Sequence, residues 1–169
     1  MSNKSDKQSE TLTLSRESLF TSPASFVALG FGLGLAPRAP GTAGTFLGIP
    51  ILLVMPTHIV AYTLVLIALF GVGVWCCARS AEELGVHDHP GIVWDEVVGY
   101  LIAMAGMPRS LLFIVVGFLI FRFFDIVKPW PIGWVDNHAG GGWGIMLDDV
   151  LAGLYTVVIL NVLLFVSGV

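Results

Sequence analysis

From residue 26 onward the chain alternates apolar runs with short polar breaks. Residues 59 to 78 and 150 to 168 are nearly uninterrupted apolar stretches, each close to the ~20 residues that a helix rising 1.5 Å per residue needs to cross a bilayer. Three shorter runs, 46 to 55, 97 to 107 and 111 to 124, predict short, broken or partly sheltered membrane helices. Pro56-Thr57-His58 and Met107-Pro108-Arg109-Ser110 separate neighbouring runs, so the pattern predicts two helical hairpins. A hairpin returns the chain to the side it left. The polar stretches 36–45, 79–96 and 125–149 are therefore expected on one face of the membrane. Residues 26 to 35 are apolar but hold Gly30, Gly32 and Gly34, which suits a segment that enters the membrane only partway. The predicted class is an all-α, multi-pass helical membrane protein with four or five crossings, its polar motifs gathered on one face.

The first 25 residues break this pattern, with seven Ser, three basic and three acidic residues. They read as a mobile polar tail ahead of a single membrane-embedded domain, residues 26–169. They lack the charged, apolar and small-residue order of a cleaved signal, which predicts neither removal nor export.

Composition sharpens the membrane reading: 56% of residues are hydrophobic and 12% charged, against about 45–50% and 25% in soluble domains. Glycine, 20 of 169 residues, suits helices packed closely through small side chains. The two cysteines, Cys76 and Cys77, are neighbours, which excludes a disulfide scaffold, and their place near the end of an apolar helix suits buried hydrophobes. A net charge of −4 gives a nucleic-acid partner no electrostatic support. Scarcity makes each charge informative. Lys4, Lys7, Arg16, Arg38, Arg79, Arg122 and Lys128 fall on the predicted polar face or its edge and only Arg109 lies opposite, so the positive-inside bias makes that face cytoplasmic. All five tryptophans, Trp75, Trp94, Trp130, Trp134 and Trp143, fall near it as an interfacial belt would.

Candidate chemistry lies in the carboxylates Asp88, Asp95, Glu96, Asp125, Asp148 and Asp149. Asp95-Glu96 precedes the run 97–107 and Asp148-Asp149 precedes the run 150–168; Gly99 and Gly153 follow four residues after Asp95 and Asp149. Residues four apart share a helix face, so each glycine would let a neighbouring helix approach beneath the carboxylate. Four clustered carboxylates repel one another unless a cation sits among them, and hard oxygen ligands select Mg²⁺, Mn²⁺ or Ca²⁺. Acids at helix N-termini also have a simpler explanation in the helix dipole. Two pairs plus Asp125, converging on one face of a charge-poor chain, favour a site. Lys128, three residues after Asp125, suits either an ion pair with it or a grip on a phosphate.

Residues 36 to 45, Ala-Pro-Arg-Ala-Pro-Gly-Thr-Ala-Gly-Thr, combine glycines and threonines ahead of an apolar helix, a weak signal for anion binding because the same residues make ordinary turns and caps. No lysine follows in a P-loop register. A second glycine run, Gly140 to Gly144, reads as flexible backbone that seats Asp148-Asp149. Glu82 and Glu83 stand where a cysteine phosphatase would need arginine after Cys76 or Cys77, and neither Asp-x-Asp-x-Thr nor Gly-x-Ser-x-Gly occurs. His87-Asp88-His89 suits a polar interfacial loop as well as a metal.

Four long segments, in this order, resemble the phosphatidylglycerophosphatase A family of bacterial lipid phosphatases: Gly34-Leu-Ala-Pro-Arg-Ala-Pro-Gly-Thr-Ala-Gly-Thr45, His87-Asp-His-Pro-Gly-Ile-Val-Trp-Asp-Glu-Val-Val-Gly99, Phe121-Arg-Phe-Phe-Asp-Ile-Val-Lys-Pro-Trp-Pro-Ile132 and Gly141-Gly-Trp-Gly-Ile-Met-Leu-Asp-Asp-Val-Leu-Ala-Gly153. The resemblance spans roughly residues 26 to 165. Asn137 departs from it, standing after Asp136 where many relatives carry a basic residue. What the resemblance implies is an Mg²⁺-dependent hydrolase of phosphatidylglycerophosphate, yielding phosphatidylglycerol in the bacterial cytoplasmic membrane. On that reading Asp95, Glu96, Asp148 and Asp149 would hold one or two Mg²⁺ ions, and Asp95, Glu96, Asp125 and Asp149 would carry the catalysis. Lys128, Thr42, Gly44 and Thr45, with Arg38, would position the phosphate. Direct attack by water and a phospho-aspartate both remain open. A small cation or proton transporter is the alternative from another class, although its path would need polar groups near the midplane, where the sequence has few.

Overall fold

The computed structural model describes residues 22–85 and 89–167; residues 1 to 21, with most of the polar tail, and His87 and Asp88 lie outside them. Ser22 caps α1 (Pro23–Ala28), its hydroxyl accepting from the Ser25 N–H. Residues 23 to 25, placed by composition in the tail, are thus helical, and buried Ser25 donates to Glu83 at 2.8 Å. An irregular 3-10 turn, Gly30–Leu35, follows. Six more helices complete the chain: α2 (Pro40–Val54), α3 (Ile59–Leu84), α4 (Trp94–Ala103), α5 (Leu111–Val127), α6 (Ile132–His138) and α7 (Gly141–Ser167). All regular structure among the described residues is helical.

The ten-residue α4 forms the centre. Val97, Val98, Tyr100, Leu101 and Ala103 have no exposed surface, and α2, α3, α5 and α7 all pack on it. Beyond its acidic first turn the helix is apolar on every side, and such a segment belongs inside. Its two polar side chains that enter the core are satisfied: Tyr100 donates to the Ile114 carbonyl at 3.1 Å and Trp94 Nε1 to the Leu69 carbonyl at 3.2 Å. Trp94 is therefore a core residue, whereas Trp75, Trp130, Trp134 and Trp143 are exposed as the predicted belt requires.

Both predicted reversals occur, but α2 and α3 do not form a packed hairpin. Each packs instead on α4, because each turns a glycine toward it: a Cβ on Gly48 would meet the Tyr100 ring, and one on Gly73 would meet Trp94 and Met146. At the end opposite the acids, Arg109 donates to the Leu53 and Pro56 carbonyls at 3.4 and 2.9 Å. This satisfies acceptors that a helix C-terminus otherwise leaves open and ties the two reversals together.

Two helices, Ile59–Leu84 and Gly141–Val166, are long and apolar enough to cross a membrane. At 1.5 Å per residue, 26 residues reach roughly 39 Å, beyond the ~30 Å hydrocarbon core. Their outer faces are apolar: Leu64, Ile67, Trp75, Val158, Val162 and Phe165 are all exposed. Continuous apolar surface of this kind is disfavoured in water and matches a lipid surround.

Candidate active site

The site residues come from α2, α4, α5, α6 and α7, at one end of the bundle. Asp95 and Glu96 lie in the first turn of α4; Arg122 and Asp125 lie near the end of α5, and Lys128 is its C-cap. Asp136 comes from α6 and Asp148 and Asp149 from α7. Two glycines set the spacing between α4 and α7. A Cβ on Gly153 would lie 2.5 Å from the Gly99 carbonyl oxygen, and one on Gly99 would lie 2.8 Å from that of Asp149. Bare Cα atoms at both places allow the backbones to touch one turn below the acids. Gly41, at the start of α2, plays the same part on the other side: a side chain there would collide with the Glu96 carboxylate and crowd the Arg122 guanidinium.

These residues line a half-open cavity of ≈ 370 Å³ whose walls carry six carboxylates and two cations. Asp95, Glu96 and Asp149 each present an oxygen within 4.8 Å of the others. At that separation and an effective dielectric of about 20, each pair of negative charges repels by roughly 3–4 kcal/mol. Asp149 is 2% exposed, and both its oxygens, with Glu96 Oε2 and Asp148 Oδ1, are buried without a hydrogen-bond partner. Buried carboxyl oxygens with no donor are costly in a native interior. Their convergence fits a divalent cation held by Asp95, Glu96 and Asp149.

The cations are placed beside this cluster. Arg122 pairs with Asp125, one turn away, and reaches Glu96 at 3.8 Å. Lys128 Nζ lies 2.5 Å from Asp136 and 2.7 Å from Asp148. Burial by itself would lower the Lys128 pKa, but the two carboxylates outweigh it and hold the ammonium above the usual lysine value. Lys128 thus stays fully charged at the cavity wall, and its partners are Asp136 and Asp148 rather than Asp125.

Of the residues singled out in the sequence, the cavity brings together Asp95, Glu96, Asp125, Asp148, Asp149 and Lys128. The acids whose oxygens all lie within 4.8 Å of one another are Asp95, Glu96 and Asp149, while Asp148 turns its Oδ2 to Lys128. Thr42, Gly44, Thr45 and Arg38 do not line the cavity; Ala39, Pro40 and Gly41 do. Gly44 is pressed against Val93. Thr45 is fully buried, donating to the Gly41 carbonyl at 3.0 Å and accepting from Arg122 at 3.5 Å, so it steadies the arginine. Arg38 is exposed. His89 is buried and its Nδ1 accepts from the Gly91 N–H at 3.0 Å, shaping the loop before α4.

Asp148 and Asp149 do not begin their helix. α7 starts at Gly141, about two turns earlier, and the helix dipole acts only within the first turn. The dipole can therefore explain Asp95 and Glu96 but not the α7 pair. From Gly141 onward the glycine run before them is helical; a Cβ on Gly142 would meet the Val74 carbonyl of α3 and one on Gly144 that of Ala139. Arg122 and Asp136 are site residues that the sequence did not single out. Arg122 left a trace, as the lone cation within an apolar helix three residues before Asp125; Asp136 left none.

An acid-lined, cation-flanked cavity that opens at the ends of apolar helices defines, with the relatives below, a helical hydrolase of phosphate monoesters. Residues 26–164 match the family model described as Phosphatidylglycerophosphatase A. The chain is 41% identical over 144 residues to the Phosphatidylglycerophosphatase A of Escherichia coli (strain K12), covering 83% of each chain. It is 45% identical over 143 residues to that of Haemophilus influenzae, covering 81% of this chain and 86% of the relative. A Bacteroides thetaiotaomicron relative, 37% identical over 84% of this chain and 94% of its own, is provisionally named a phosphatidylinositol-3-phosphatase. No solved structure matches. The chain belongs to the phosphatidylglycerophosphatase A family.

Proposed function

We propose that this chain hydrolyses the terminal phosphate of phosphatidylglycerophosphate, giving phosphatidylglycerol and inorganic phosphate, with Mg²⁺ held by Asp95, Glu96 and Asp149. The observation that carries the reading is Asp149: both its oxygens are buried and unpartnered within 4.8 Å of two further acids, in a chain of this family. Bound there, a divalent cation would neutralise charge on the phosphoryl group and make water a better nucleophile at neutral pH. The residues of the chain do the rest. Lys128 and Arg122 supply positive charge along the cavity wall for the phosphoryl oxygens. Asp125 holds Arg122 in place through their ion pair, and Thr45 supports it from behind. Gly41 leaves the space that Glu96 and Arg122 occupy.

The position of the cavity suits a lipid phosphate, whose tails stay in the bilayer while the headgroup sits at its surface. On this reading the shorter helices α2, α4 and α5 also lie within the membrane. The cavity faces the cytoplasm of a bacterial inner membrane, because Arg38, Arg79, Arg122 and Lys128 belong to its end and Arg109 to the other.

Purified protein in detergent with Mg²⁺ is expected to release phosphate from phosphatidylglycerophosphate at least about tenfold more efficiently, in kcat/KM, than from phosphatidylinositol-3-phosphate. The comparison addresses the headgroup named for the Bacteroides relative. The opposite order would reassign the substrate. No release from either lipid, together with cation flux in liposomes, would establish the transporter reading.

A further inference from the structure

Lys128 is held between two unlike carboxylates. Asp148 is 10% exposed and sits on the long α7, whereas Asp136 is 32% exposed and sits on the seven-residue α6 at the mouth of the cavity. The base of Lys128 is fixed. Its backbone is left-handed, φ 45°, which a residue with a Cβ adopts only when its surroundings impose it, and Gly133 lies directly beneath its carbonyl. Its ammonium therefore has a short list of acceptors. Asp148 is the buried one, while the partly exposed pair with Asp136 is of the weak, exchangeable kind. A phosphate entering the cavity offers the ammonium the same thing as Asp136, an anionic oxygen, but with more negative charge and more acceptor atoms.

We propose that Asp136 is a positioning residue that competes with the substrate phosphate for Lys128: it holds the ammonium at the cavity mouth while the site is free and recaptures it when inorganic phosphate leaves. The inference rests on the reading of this cavity as the phosphate site. It gives Asp136 a cost in binding and a benefit in release, since its carboxylate offers the cation that grips the bound anion another partner.

The test uses the full chain in detergent with Mg²⁺, measuring KM for phosphatidylglycerophosphate and the affinity for inorganic phosphate by calorimetry. Asp136→Asn is expected to lower KM and tighten phosphate binding about fivefold, the scale of a partly exposed ion pair. Asp136→Glu, which keeps the competing charge, should restore values near those of the native chain. In a Lys128→Met background, Asp136→Asn should change phosphate affinity by less than about twofold, because the competition has lost its object. Unchanged or weaker phosphate binding in Asp136→Asn, or the full gain without Lys128, would overturn the inference. A native chain that neither binds phosphate nor hydrolyses the lipid defeats the underlying reading as well. One that does both, with no gain in Asp136→Asn, defeats this inference alone.

Discussion

Asp149→Asn is expected to reduce phosphate release from phosphatidylglycerophosphate by about a thousandfold or more, the scale on which loss of a group acting in the transition state is felt. The substitution keeps the shape of the side chain and removes its charge. A second readout separates loss of the site from loss of the fold. In the native chain the Asp149 carboxylate is buried, without a hydrogen-bond partner and within 4.8 Å of Asp95 and Glu96. Without divalent cation the variant should therefore unfold at the same temperature as the native chain or higher, since one of three mutually crowding acids has been replaced by a neutral side chain of the same shape. Adding Mg²⁺ should reverse the order: a ligand at about 100 times its Kd stabilises the chain that binds it by roughly 2.7 kcal/mol. The variant should gain little. A variant that retains activity would remove Asp149 from the site, and one that unfolds earlier without cation would make its role structural.

Gly153→Val is expected to have the next largest effect on activity, through packing rather than chemistry. The first carbon of the new side chain would lie 2.5 Å from the Gly99 carbonyl oxygen and 3.0 Å from Ile102 Cβ, and a backbone oxygen cannot rotate away. α4 and α7 must separate, at an overpacking cost of about 1–3 kcal/mol. The same movement draws Asp149, one turn earlier on α7, away from Asp95 and Glu96 on α4. Displacement of about 1 Å at a reacting centre can lower a rate a hundredfold, so activity should fall by about that factor even in protein that remains folded. Gly71→Ala supplies the comparison. A Cβ at Gly71 of α3 meets nothing within 4 Å, and activity there should match the native chain. Equal losses at the two positions would mean that helix flexibility, not the α4–α7 contact, is what the glycines provide.

How much of this was legible in the chain depends on whether the signal was local. Apolar runs, the two Pro-containing breaks and the gathering of acids at one end are statements about neighbouring residues, and the helices and cavity follow them. The glycines after Asp95 and Asp149 were legible for the same reason, since four-residue spacing is a property of one helix; that Gly99 and Gly153 meet each other needed the fold. Where the reading failed, a distant partner overruled a local preference. Gly140 to Gly144 has the composition of a loop, yet most of it is helical, because Gly142 fits against α3 where any side chain would collide. Thr45 and Gly44 have the composition of an anion loop, yet they lie inside α2 against Arg122 and Val93. Lys128 has an acid three residues before it, yet it bonds Asp136 and Asp148, eight and twenty residues on. Short-range spacing ranks the wrong partner first when the chain turns sharply between the two, as it does after the left-handed Lys128.

Three carboxylates at the end of a lipid-embedded bundle are proposed to hold the cation required for hydrolysis. This role is tested most directly by following phosphate release from phosphatidylglycerophosphate by the purified native chain while divalent cations are chelated and Mg²⁺ is then restored in excess. Release is expected to stop on chelation and to return to its initial rate with Mg²⁺. Release that continues unchanged with all divalent cations removed would contradict it.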